Sequence, residues 1–107
     1  MIYIKPTFFE FDLSSSGSSH CLRVGKFQLA WGYYPSVSEG TLPWAYFVKP
    51  FKDSASYNLL HQVWSYGVRV SSEVAKEANA CRVQTFVPST DARSATNGFY
   101  VAFGRWI

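Results

Sequence analysis

Gly25-Lys26-Phe27-Gln28-Leu29-Ala30-Trp31-Gly32 is the stretch that decides the fold. Phe27, Leu29 and Trp31 fall on one side of an extended chain, and Lys26, Gln28 and Ala30 on the other. A period of two is that of a half-buried strand. Leu22 and Val24 continue the alternation one register away, with Gly25 between the two runs. A glycine there places a turn or a bulge, so Cys21 to Gly32 reads as a short hairpin.

Downstream, Tyr33 to Pro43 is a loop punctuated by Pro35, Ser36, Ser38, Gly40 and Pro43. Trp44 to Val48 is an apolar run that fits a buried strand, stopped by Pro50, and Lys52, Asp53 and Ser54 make a turn. From Tyr57 to Val70 runs the longest strand region. Its Tyr57, Leu59, His61 and Val63 alternate with Asn58, Leu60, Gln62 and Trp64. Apolar groups on both faces suit a strand covered on both sides. Ser72 to Ala80 has an N-cap in Ser72, acids at Glu73 and Glu77 and helix formers at Ala75 and Ala78, and reads as a two-turn helix or a polar loop. Arg82 to Val87 is a strand ended by Pro88, followed by the polar loop Ser89 to Asn97. Asn97-Gly98 signals a turn, and Phe99, Val101 and Phe103 alternate along the closing strand. Upstream, Tyr3 to Leu13 reads as a strand or an extended arm, and the serine run from Ser14 to Ser19 as a loop or short linker. The expectation is an all-β chain: an N-terminal arm and serine loop over 1–19, then a small antiparallel β-sandwich over 20–107. It has six to eight strands and room for one short helix near 72–80.

The 107 residues suit one domain, and 48% hydrophobic with 19% aromatic content sets the chain apart from disordered sequences. Its longest apolar runs fall far short of the ~20 residues of a membrane-spanning helix, so no membrane insertion is expected. Met1 to Phe9 lacks the basic flank, apolar centre and cleavage site of a signal peptide. The net charge of +3 is spread from Lys5 to Arg105 with acids between, which argues against a nucleic-acid partner. Cys21 and Cys81 are too far apart for a Cys-x-x-Cys motif and read as free thiols acting as small apolar residues, with a disulfide open only to a fold that brings their Cα atoms within about 7 Å.

Catalytic signals are sparse. His20 and His61 stand at no metal-ligand spacing, and neither a G-x-S-x-G elbow nor a phosphate-binding loop is present. The route to a hydrolase would be Cys21 or Cys81 with His61, with nothing local to support it. The chain is therefore expected to be no enzyme and to need no metal or cofactor. What stands out is a surplus of rings: four Trp, seven Tyr and nine Phe, more than a small core needs. Some pack as cover over the sandwich. Others, with their polar handles, suit a binding surface. Tyr33, Tyr34 and Trp44 are candidates to stack on a sugar, and Asp91, Arg93 and Asn97, with Asn58 and Gln62, to bond its hydroxyls. Single-stranded nucleic acid also stacks on rings but needs a positive groove.

The order of these pieces resembles the C-terminal domain of bacteriophage tail-fibre proteins. Gly25 to Gly32 is similar to the G-hydrophobic-x-hydrophobic-x-W-G strand that opens that domain. Ala45-Tyr46-Phe47-Val48-Lys49-Pro50-Phe51 looks like its aromatic–Pro–Phe strand. Asn97-Gly98-Phe99 and the run from Phe99 to Trp106 are similar to its two closing pieces, fused into one. The resemblance covers 21 to 107 and leaves Met1 to Ser19 outside. It implies a homotrimeric, H-type-lectin-like β-sandwich without catalysis, exposed on the virion at a fibre tip or baseplate. Such a tip contacts a glycan or protein receptor on a bacterial surface and joins other virion proteins. Phe103, Trp106 and Ile107 would then lie between protomers, and the loops Tyr33–Trp44 and Ser89–Asn97 would face the receptor. A structural virion component that binds no glycan is the alternative.

Overall fold

The computed structural model describes residues 11–64 and 67–107. The proposed strand or arm before residue 11 lies outside them. The described chain is all-β and forms two antiparallel sheets. The first has the order β1 (Phe11–Ser16), β2 (Ser19–Val24), β3 (Phe27–Tyr34), β9 (Gly98–Arg105) and β5 (Tyr57–Val63). In the second, β7 (Ala80–Val87) pairs with β6 (Val70–Glu77) along one edge. Its other edge is shared by the short β4 (Ala45–Tyr46) and β8 (Ala92–Ser94).

The β2–β3 hairpin turns where the glycine predicts. Val24 pairs with Phe27, and Gly25 takes a φ of 59° that a side chain disfavours. Three expectations are corrected. The serine run is a hairpin: β1 ends at Ser16, Gly17-Ser18 turns, and β2 starts at Ser19. Residues 11–19 therefore belong to the sheet. The segment Ser72 to Ala80 contains no helix. Most of it is β6, which hydrogen-bonds to β7 along its length, and cross-strand pairing outweighs the weak helix preference of Glu and Ala over two turns. The all-β sandwich is as expected, and the described residues hold nine strands where six to eight were expected, because β1, β6 and β8 form in segments read as a serine loop, a helix or loop, and a polar loop.

The core lies between the sheets. It gathers Ala30, Tyr34, Tyr57, Tyr100 and Ala102 from the first sheet against Ala45, Cys81 and Val83 from the second, with Phe47 and Phe51 from the segment after β4. Phe51 stacks on Tyr57 at 4.3 Å, and Phe47 meets Tyr57 edge-on at 5.4 Å. Polar ties cross between the sheets, those of three core-facing side chains among them. Tyr34 Oη bonds Thr85 Oγ1 at 2.8 Å, Tyr57 Oη donates to the Glu77 carbonyl at 2.8 Å, and His61 Nδ1 bonds Ser71 Oγ at 2.6 Å. Gln28 is wholly buried yet satisfied, donating to the Lys49 carbonyl and accepting from Arg23 Nε.

The alternation of β3 is as expected, but its larger side faces outward. Gln28, Ala30, Gly32 and Tyr34 are buried, whereas Phe27 and Tyr33 are exposed and Leu29 and Trp31 are half-buried. Strand β9 repeats this, with Gly98, Tyr100 and Ala102 buried and Phe99, Val101 and Phe103 on the outer face. Strand β5 turns Leu60 outward, 61% exposed, so the expected cover on both of its faces is not supplied by the described residues.

Candidate functional site

At the end of the first sheet where β3 finishes, the outer face carries a groove of about 430 Å³. Strand pairing builds it. His20 lies opposite Trp31, Trp31 opposite Val101, and Tyr33 opposite Phe99, so three strands place the rings of His20, Trp31, Tyr33 and Phe99 side by side. Trp31, Tyr33, Phe99 and Val101 line the groove together with His20 and Ser18 of the β1–β2 hairpin and with Trp64, which follows β5. Trp64 is 65% exposed and anchored through its backbone N–H to the Asn97 carbonyl. His20 stacks on Trp31 at 5.5 Å between centroids, and its Nδ1 bonds Ser15 Oγ at 2.8 Å.

Two shallower recesses adjoin it. One is lined by Tyr33, Trp64, Asn97 and Gly98, and another by Gln62, Val63, Trp64 and Phe99. Asn97 accepts from the Ser36 N–H through Oδ1, which leaves its amide N–H groups as donors for a guest. A third recess of about 410 Å³ lies on the other side of Tyr33. Ser16, Ser18, Ser19, Trp44 and Tyr46 help to line it.

The residues expected at a site separate accordingly. Tyr33, 53% exposed, borders the groove and two of the recesses, with Asn97 in one and Trp44 in the other. Trp44 also carries the Arg82 guanidinium 4.3 Å above its ring. Tyr34 corrects the expectation. It is fully buried with its hydroxyl on Thr85, because the strand continues through it and turns it inward from Tyr33. Asp91 and Arg93 sit on the β7–β8 turn and on β8, and line none of these recesses. Asp91 takes a left-handed φ of 57° in that turn. Of the terminal residues, Phe103 is half-buried on the outer sheet face. Trp106 is tied within its own chain, donating from Nε1 to the Gly25 carbonyl at 2.6 Å beneath the Arg23 guanidinium, and Ile107 is half exposed.

Sequence reasoning missed Trp31, Trp64, Phe99 and His20 as neighbours. The signal for two of them was present: Trp31 and Tyr33 share a parity on one strand, so one face must carry both. Their meeting with Phe99 and Trp64 depends on β9 entering between β3 and β5, a long-range pairing that no local pattern encodes.

Chemically the groove offers apolar ring faces, an imidazole and hydroxyls, and the recesses beside it add the carboxamides of Asn97 and Gln62. Among the described residues, no carboxylate and no Lys or Arg lines the groove. The thiols are placed away from it. Cys21 and Cys81 are free and fully buried, and burial pushes both above the ordinary thiol range, Cys81 to about 12. A thiol so raised is a poor nucleophile at neutral pH, since the thiolate is the reactive form. Native protein at pH 8 is expected to leave Ellman's reagent unreacted over minutes. Two equivalents should react once guanidinium unfolds it. Rapid native reaction would contradict this placement. Among the described residues, no three His, Cys, Asp or Glu side chains gather as metal ligands would.

Compared with family models, with curated proteins and with solved structures, the chain matches none, so the groove is to be read from its own residues.

Proposed function

We propose that the chain is a non-enzymatic binding domain that holds a surface glycan in the Trp31–Tyr33–Phe99–Trp64 groove. The observation that carries this reading is the groove itself: rings grouped on one sheet face, with hydrogen-bonding groups at the margin and no carboxylate, Lys or Arg among the described residues of the lining. A pyranose has one face of C–H bonds and a rim of hydroxyls. The first stacks on rings and the second bonds to Asn97, Gln62, Ser18 or His20. The uncharged lining favours a neutral sugar over a sialic or uronic acid, whose carboxylate would lose water without gaining a cation.

The resemblance to phage tail-fibre tips supports the wider setting: a homotrimer on the virion, where three weak sites gain avidity against a bacterial surface. A protein receptor or a virion partner at the same rings is the competing reading.

Trp64→Ala provides the test. Its side chain is mostly exposed, so stability is expected to change by less than about 0.5 kcal/mol. Binding to a printed array of neutral bacterial glycans is expected to fall at least tenfold. Asp91→Ala, outside the groove, should leave it unchanged. An array on which wild type and Trp64→Ala bind alike would remove the groove from the account.

A further inference from the structure

We propose that the recess on the other side of Tyr33 is a second sugar subsite, and that the ligand is an oligosaccharide lying across Tyr33, one unit in the groove and the next in the recess. This rests on the glycan reading of the groove and gives that ligand a minimum length.

The recess is built where the two sheets meet. Ser16 and Ser19 pair at the end of the β1–β2 hairpin, and Gly17, with a φ of 59°, lets the chain reverse between them. Ser19 Oγ donates to the Tyr46 carbonyl at 3.0 Å, which ties this hairpin to β4 of the second sheet. Along β4 Ala45 turns inward and Tyr46 outward, 59% exposed, and Trp44 shares the parity of Tyr46. The Arg82 guanidinium on the Trp44 ring braces it. Hydroxyls of the hairpin and rings beside β4 thus line one hollow of about 410 Å³, close in size to the groove.

Two observations select the occupant. Ser18 and Tyr33 line both hollows, so the two are continuous and a chain of sugars can fill both. The chemistry is that of the groove with its proportions changed. Tyr33, Trp44 and Tyr46 supply rings, the three serines supply hydroxyls, and among the described residues no charged side chain lines the recess. Ser16, Ser18 and Tyr46 are exposed, and no hydrogen bond to another described residue occupies their hydroxyls. A hydroxyl both donates and accepts, as a sugar hydroxyl does, so the recess suits the hydroxyl rim of a second unit while the groove takes the C–H face of the first. An apolar peptide would leave these hydroxyls without partners, and a charged one would find no counter-charge. Joining two weakly held units makes the second contact intramolecular, so affinity rises with chain length.

The four tryptophans test this in one spectrum. Trp31 and Trp64 line the groove and Trp44 lines the recess, while Trp106 lines neither and is bonded to the Gly25 carbonyl. Indole nitrogen–proton NMR resonances of the intact chain, assigned with single Trp→Phe variants, are followed in titrations with neutral methyl pyranosides and with bacterial oligosaccharides of the same sugars. A pyranoside is expected to shift Trp31 and Trp64 alone. The matching oligosaccharide is expected to shift Trp44 as well, to leave Trp106 unmoved and to bind at least tenfold tighter. Tyr46→Ala removes an exposed side chain and keeps the backbone carbonyl that accepts from Ser19. It should abolish the tenfold gain and leave pyranoside affinity within twofold of wild type. An oligosaccharide that binds no tighter than its pyranoside, that leaves Trp44 unmoved, or whose gain survives in Tyr46→Ala overturns the second subsite, and the shifts of Trp31 and Trp64 would still support the groove. Titrations in which no sugar shifts Trp31 or Trp64 overturn the groove reading and this inference with it, so the two failures are told apart.

Discussion

Tyr57→Ala is expected to cost about 3–5 kcal/mol, enough to unfold a large share of a domain whose total stability is of order 5–15 kcal/mol. Tyr57 is 2% exposed and sits where the sheets meet. Its ring stacks on Phe51 and is met edge-on by Phe47, and its hydroxyl donates to the Glu77 carbonyl at the end of β6. Lys76 reaches back over the same ring, 4.7 Å from its centroid, and donates to the Tyr57 carbonyl. Truncation removes the ring, opens a cavity among residues from both sheets and takes the hydroxyl donor from the Glu77 carbonyl. Tyr57→Phe keeps the packing and loses only the hydrogen bond, at about 1 kcal/mol. Thermal melts should place Tyr57→Ala roughly 10–30 °C below wild type and Tyr57→Phe within about 8 °C. A mild effect from the alanine would mean that the sheets are not held together at this point.

Gly98→Ala is the second large effect, by overpacking in place of a cavity. A β-carbon on Gly98 would overlap the Tyr34 ring and the Gln62 carbonyl. Neither can yield. Tyr34 is fully buried and bonded to Thr85, and Gln62 lies on the neighbouring strand, opposite Phe99. Overpacking commonly costs about 1–3 kcal/mol, and a clash with backbone belongs at or above the top of that range. The variant should also weaken glycan binding in whatever fraction stays folded, because Gly98 joins Asn97 to Phe99 and sets their positions in the groove. Urea titration measures the first effect. Gly40→Ala is the control for loop glycines, since nothing lies near its β-carbon position, although its φ of 78° adds a local strain.

The hairpin at Gly25 and the strands from Phe27, Tyr57, Arg82 and Gly98 were legible because each alternates over five or more residues between turn residues. The period carries no sign, however. It separates the two sides of β3 without saying which faces the core, and the habit of placing bulk inside misleads here. A thin core already filled by Tyr34, Tyr57, Tyr100, Phe47 and Phe51 leaves room only for Ala30, Gly32 and Ala102 on the central strands. Strand β6 was obscured by a register shift between Glu73 and Ala75, which breaks the alternation while leaving helix formers in place. Strand β1 and its turn were obscured by serines, which are tolerated on an exposed edge strand and carry no apolar period. The site was half legible. Tyr33, Trp44 and Asn97 do border recesses, but Trp31, Phe99 and Trp64 reach Tyr33 only through the order β3-β9-β5, and Tyr34 was lost to the parity of its strand.

Sugar binding by these rings is tested by saturation-transfer NMR on the intact chain, with a panel of neutral methyl pyranosides and bacterial oligosaccharides. Transfer is expected to the C–H face of at least one of these sugars, lost in Trp64→Ala and retained in Asp91→Ala. No transfer to any of them, or transfer that survives the loss of Trp64, would contradict it.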